Sequence, residues 1–135
     1  MALDITPEIE SRLKEDTVIW FTTVRADGMP QPTPVWFIWQ DGSILIYSSA
    51  KAQKVRNIRA SAKVAVNLDN THDGDTYIVF MGEAKIDPDA PKASQLPAYI
   101  EKYRQDITDI NMTPESFDEN LPVAIRFTPV KVRGE

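Results

Sequence analysis

Two serines and two lysines in this chain have the types and spacing for chemistry. Ser48, Ser49, Lys51 and Lys54 fall within IYSSAKAQKVRNIRA, residues 46–60. The chain carries 20 acidic residues against 15 basic ones, yet Gly42 to Leu68 contains no Asp or Glu. The same run holds Lys51, Lys54, Arg56, Arg59 and Lys63. A strand ending at Ser48-Ser49 is followed by a helical pattern over 50–60, with Ser49 as the expected N-cap. Cations in the first turns of a helix oppose its macrodipole by roughly 0.3–1 kcal/mol each. Lysines there, with serine hydroxyls and free backbone N–H groups beside them, suit a bound anion of phosphate type. Arg56, Arg59 and Lys63 read instead as a solvated basic face.

Other routes to chemistry find little support. DNTHDGD, residues 69–75, is faintly like a calcium loop, but position twelve is Phe80 where a bidentate Glu is required. His72 is the single histidine and there is no cysteine, so multi-histidine metal sites, disulfides and thiol catalysis are excluded. G-x-S-x-G, P-loop and G-x-G-x-x-G patterns are absent. The sequence supplies a phosphate-type site beside aromatic strand surface and no nucleophile–base pair. That combination fits a protein whose bound cofactor does the chemistry.

The elements that must position this site follow from patterning. Thr6-Pro7-Glu8 predicts a helix start, with Ile5, Ile9 and Leu13 on one face. Residues 17–25, 30–40, 43–49, 62–69, 75–87 and 121–134 predict six strands. Asp27-Gly28 and Asp41-Gly42 predict hairpin turns. Pro30, Pro32 and Pro34 confine the first half of the second strand to an edge or bulge. Helices are expected over 89–105 and from Thr113. The expected fold is mainly β: a six-stranded antiparallel barrel with peripheral helices, in one domain spanning 1–135. Several strands (VIWF, VWFIW, YIVF) are apolar on both faces, more than one small barrel can bury. The surplus predicts an interface, most simply a homodimer.

The net charge of −5 argues against general nucleic-acid or membrane binding. No apolar run approaches the roughly 18 residues of a membrane span, and the N-terminus lacks a secretory h-region. A cytoplasmic protein is expected.

GMPQPTPVWFIWQDGSILIYSSAKAQKVRNIRASAKVAVNLD, residues 28–69, resembles the core of the pyridoxamine 5′-phosphate oxidase-like split β-barrel family. The matching positions are Gly28, Pro30, Pro34, Val35, Trp36 and Phe37, then Ser48, Ser49, Lys54, Asn57 and Ile58. FTPVKVRG, residues 127–134, is similar to the last strand of the short, F420-type members. The resemblance implies a split barrel that dimerises, with FMN or F420 held at the subunit interface. By motif match Ser49 and Lys54 hold the phosphate, Ser48 and Lys51 assist, and Thr33, Pro34, Val35 and Trp36 line the ring. Asn57 binds cofactor or fixes the helix; Trp36 stacks on the ring or fills the core. Lys131 and Arg133 share a strand face, as exposed charges or as reach toward the cofactor. The implied activity is hydride transfer to or from a small organic substrate, with no catalytic residue assigned. A non-catalytic flavin carrier or sensor is the alternative, and a nucleic-acid-binding barrel a more remote one. The chain lacks the substrate-phosphate arginine motif of true pyridoxamine phosphate oxidases, so that oxidation itself is not expected.

Overall fold

A computed structural model describes residues 4–68 and 77–134. The loop 69–75 and His72, weighed above for metal binding, lie outside the described residues. Helix α1 (Pro7–Glu15) is capped by Thr6, whose hydroxyl accepts the Ile9 N–H at 3.2 Å. Seven strands follow in one antiparallel sheet: β1 (Ile19–Val24), β2 (Pro30–Val35), β3 (Ile38–Gln40), β4 (Ser43–Ser48), β5 (Lys63–Leu68), β6 (Ile78–Ile86) and β7 (Val123–Gly134). Helix α2 (Gln53–Ala60) connects β4 to β5. A 3₁₀ turn at Ala93–Gln95, α3 (Pro97–Asp109) and α4 (Pro114–Asn120) connect β6 to β7. No described helix is long and apolar enough to cross a membrane.

The sheet order is β2-β1-β5-β6-β7-β4-β3. Its two edges are therefore the two halves of the single stretch 30–40, and the split barrel closes through chain continuity at Trp36-Phe37. Six strands were expected and seven are present, because this stretch breaks where it leaves β1 and joins β4. The break is bridged from α3. The Tyr103 hydroxyl accepts the Phe37 N–H at 2.9 Å and donates to the Thr17 carbonyl at 2.7 Å. Lys102 adds a bond from Nζ to the Phe37 carbonyl at 3.1 Å, with its ammonium 3.8 Å from the Phe37 ring centroid. Burial lowers the Lys102 pKa to about 8.

The expected hairpin turns are formed. Gly28 has φ 89°, and Arg25 N–H reaches the Met29 carbonyl at 2.9 Å. Asp41 and Gly42 have φ 53° and 76°, the double left-handed geometry of a tight hairpin. The prolines of β2 fall on an edge strand, where missing donors cost little. The helix expected over 89–105 instead runs Pro97–Asp109. Leu96, held extended in front of a proline, blocks an earlier start.

Two cores share one strand. The barrel interior collects Phe21, Phe37, Ile44, Ile46, Phe80 and Phe127, with Val55 and Ile58 of α2. A second core collects Leu45, Tyr47, Tyr99, Tyr103, Ile107 and Phe117 beneath α3 and α4. Strand β4 is buried at all six positions because it faces both. The outer face of β1 and its neighbours is not covered in this way. Pairing registers align Pro34, Trp20, Asn67, Val79 and Arg133 in one row, and Pro32, Thr22, Ala65, Met81 and Lys131 in the next. Trp20 is 37% exposed there.

Tyr103→Phe keeps the ring and its stacking but removes the bridge at the strand break. It should destabilise the fold by roughly 1–3 kcal/mol, the cost of leaving a buried amide and carbonyl unpaired. Urea unfolding measures this directly. A change below about 0.5 kcal/mol would show that the bridge is dispensable.

Candidate functional site

The site begins where β4 ends. Ser48 is 3% exposed and its hydroxyl donates to the Ser49 carbonyl at 3.1 Å. Ser49 does not cap α2: the N-cap is Ala52, without a side-chain bond. The Ser49 hydroxyl accepts the Lys51 N–H at 3.3 Å, and its carbonyl accepts the Ala52 N–H at 3.2 Å. A serine-stabilised turn thus precedes the helix and delays its start to Gln53. Lys51 falls in that turn, exposed, where its carbonyl accepts from Arg56 at 2.9 Å. Lys54 falls in the first helical turn, which contains no acidic residue. The two lysines therefore do not leave one helix face together, as the earlier start would have required.

Lys54 is half-buried. Among the described residues no ion pair and no hydrogen bond involves its ammonium. Burial alone pulls its pKa below the ordinary lysine value. A partly desolvated cation without a counter-charge is costly for the fold, and a bound anion would offset that cost.

Lys54 opens onto a cleft of about 320 Å³. Pro34, Val35 and Trp36 form one wall; Ser48 and Ser49 share the polar end with Lys54. Six of the nine expected site residues therefore meet in one cleft. Thr33 lines an adjoining groove of about 410 Å³ with Gln31 and Gln53, which Lys54 also borders. Lys51 lines neither. Asn57 is 2% exposed and lies between α2 and the sheet. Its amide donates to Thr23 Oγ1 and to Gln31 Oε1, each at 2.9 Å, and its carbonyl accepts from Gln53 at 2.9 Å. These bonds fasten α2, and so Lys54, to β1 and β2. Lys131 and Arg133 are exposed on the outer sheet face.

The opposite side of the cleft was not anticipated. Tyr47, Tyr99 and Phe117 form its floor, and Ile110 and Leu121 its rim. Trp36 is stacked on Tyr103 at 4.9 Å and 9°, and on Phe117 at 5.9 Å and 3°. Its ring is thus already paired with protein aromatics while contributing to the wall. The spacing Tyr99, Tyr103, Ile107 marks a buried helical stripe in the sequence, but nothing in it says which strand end the stripe covers. A larger cleft of about 610 Å³ lies beyond Tyr47, but Asp87, Glu115, Asp118 and Glu119 line it against a single Lys92. That is the wrong sign for a phosphate.

A family model described as pyridoxamine 5′-phosphate oxidase matches residues 5–134. No curated protein matches significantly. Among solved structures, the conserved hypothetical protein Rv2991 from Mycobacterium tuberculosis is similar with a TM-score of 0.74 and 23% identity, over 94% of this chain and 81% of that one. An F420 reductase is similar with a TM-score of 0.67 and 24% identity, over 92% and 94%. HutZ, a heme storage protein from Vibrio cholerae, is similar with a TM-score of 0.66 and 14% identity, over 96% and 94%. Likeness at these identities establishes the fold.

Asn57→Ala should cost roughly 1–3 kcal/mol, because it strands the Thr23 hydroxyl and the Gln31 carbonyl beneath α2. Chemical denaturation checks this. An effect of surface size, under about 0.5 kcal/mol, would mean that Asn57 does not anchor the helix.

Proposed function

This chain belongs to the pyridoxamine 5′-phosphate oxidase family, and on that premise we propose that its cleft holds a flavin-type cofactor, FMN or F420, for hydride exchange with a small organic molecule. The observation that carries the reading is Lys54: a half-buried ammonium with no described partner, at the polar end of a cleft whose remaining walls are apolar and aromatic. In this reading Lys54 and the Ser49 hydroxyl hold the phosphate, with Ser48 at the strand end behind them. Pro34, Val35 and Trp36 bound the ring, and Thr33 lies beside the tail in the adjoining groove. Lys51 is an outer helper that attracts the anion through charge. Asn57 acts through Lys54, by holding α2 in place. The bound group supplies the redox chemistry, so the protein needs only to bind, orient and exclude water.

The F420 reductase among the similar folds supports this class of ligand. The heme storage protein raises a second one. The described walls of this cleft contain neither histidine nor cysteine, so they offer an iron neither imidazole nor thiolate. A flavin carrier without turnover uses the same pocket. It is separated from an enzyme by assay of reduced cofactor against a substrate panel, where consistent inactivity favours the carrier.

The second part of the proposal is a homodimer. The outer face bearing Trp20, Pro32, Pro34, Val79 and Met81 is apolar and only partly covered. It reaches Pro34, a residue of the cleft wall. Burying this face against a second copy would complete the cleft from outside and remove the surplus apolar area from water.

Two experiments test these statements. Titration of the full chain with FMN and with F420 should show binding of one of them. Lys54→Glu should weaken that binding roughly tenfold or more with little change in melting temperature. Unaltered affinity would remove the phosphate assignment. Sedimentation velocity should find a dimer, and Trp20→Glu should shift it to monomer by burying a charge at the seam. A monomeric parent protein at micromolar concentration would rule the interface out.

A further inference from the structure

Three tyrosines are buried where α3 packs on β4, Tyr99 and Tyr103 from the helix and Tyr47 from the strand, and they differ in what their hydroxyls do. Tyr47 donates to the Pro91 carbonyl at 2.6 Å, and Tyr103 to the Thr17 carbonyl at 2.7 Å. Tyr99 is 1% exposed, yet among the described residues its hydroxyl has no hydrogen-bond partner. No described buried side-chain oxygen or nitrogen lacks a partner. The Tyr99 oxygen is therefore not fully enclosed, and Tyr99 lines the cleft bordered by Trp36 and Lys54. A side chain packed on nearly all sides thus combines an unbonded hydroxyl with a place in the lining of the candidate cleft.

We propose that the Tyr99 hydroxyl is the hydrogen-bond donor of a substrate subsite on the aromatic floor of this cleft, taking a flat, uncharged aromatic molecule that carries a carbonyl oxygen. The neighbours of Tyr99 set the shape. Its ring meets Tyr47 edge-on at 5.1 Å and lies 5.8 Å from Phe117, and Trp36 stands parallel to Phe117. Such surfaces favour planar ligands. The neighbours also set the charge. Tyr47, Phe117, Ile110 and Leu121 carry no formal charge, so an ion placed among them would lose hydration without a counter-ion. Burial raises the Tyr99 pKa far above its ordinary value, so the hydroxyl keeps its proton and acts as a donor. A donor without a protein partner is best satisfied by an acceptor such as a carbonyl oxygen.

Describing this ligand as the substrate rests on the cofactor reading of the cleft's polar end; its binding does not. The test uses the full chain and two probes of one shape, 2-acetylnaphthalene and 2-isopropenylnaphthalene, which differ by a carbonyl oxygen against a methylene. Dissociation constants come from ligand-observed NMR. The parent protein should prefer the ketone by about tenfold, the contribution of one well-formed hydrogen bond. Tyr99→Phe should abolish that preference, leave the hydrocarbon's affinity unchanged and not lower the melting temperature, since no bond within the fold is lost. A parent protein without ketone preference overturns the proposal. So does a variant that retains the preference, or one that melts lower because the hydroxyl was bonded internally. Parallel titration with FMN and F420 separates the two claims: absent cofactor binding with an intact ketone preference would sink the cofactor reading alone.

Discussion

The fold depends on how one extended stretch serves as both edges of a sheet. Residues 30–35 pair with β1 and residues 38–40 with β4, at opposite ends of a seven-stranded order. The two residues between them have no strand to pair with, and a buried amide without a partner is costly. Tyr103 supplies the partner from α3, and Lys102 binds the carbonyl of the same residue. The helix is thus tied to the seam it covers. Because Trp36 immediately precedes Phe37, the same tie sets where the cleft wall stands, and the Trp36–Tyr103 stack continues it.

The second organising feature is β4. A strand buried on both faces must satisfy two cores with alternate residues. Ile44 and Ile46 face the barrel interior, while Leu45 and Tyr47 face the helical layer. Where this strand ends, the chain enters the Ser49 turn that leads into α2. The cleft is a consequence. Its polar end comes from the turn and α2, and its floor from the helical layer beside Tyr47. The half-buried Lys54 is held at the junction by α2, which Asn57 fastens to β1 and β2.

The outer sheet face poses a different energetic problem. Its paired rows place Trp20 among Pro34, Asn67 and Val79, with Arg133 and Lys131 at the far side. An apolar patch with charges at one margin suits the interface proposed above. The cleft and the patch meet at Pro34, so assembly and ligand binding would act on the same strand.

Much of the architecture follows from local pattern. Thr6 caps a helix, Asp27-Gly28 and Asp41-Gly42 turn hairpins, and alternating apolar residues name the strands, because each signal acts within a few residues. The acid-free run likewise singled out Lys54 through short-range charge alone. The break at Trp36-Phe37 was invisible, since it depends on a hydroxyl 66 residues away. Ser49 capped a turn where a helix was expected, because the competing Lys51 and Ala52 amides are decided by backbone geometry rather than residue type. The aromatic floor was hidden for the same reason: Tyr99 and Phe117 read as core residues in any helix, and only packing of α3 and α4 beside β4 brings them into the lining of the cleft. Sequence determined which residues carry charge and which segments are helix or strand. Tertiary structure decided which of them share a cavity, because that depends on long-range pairing that no local pattern encodes.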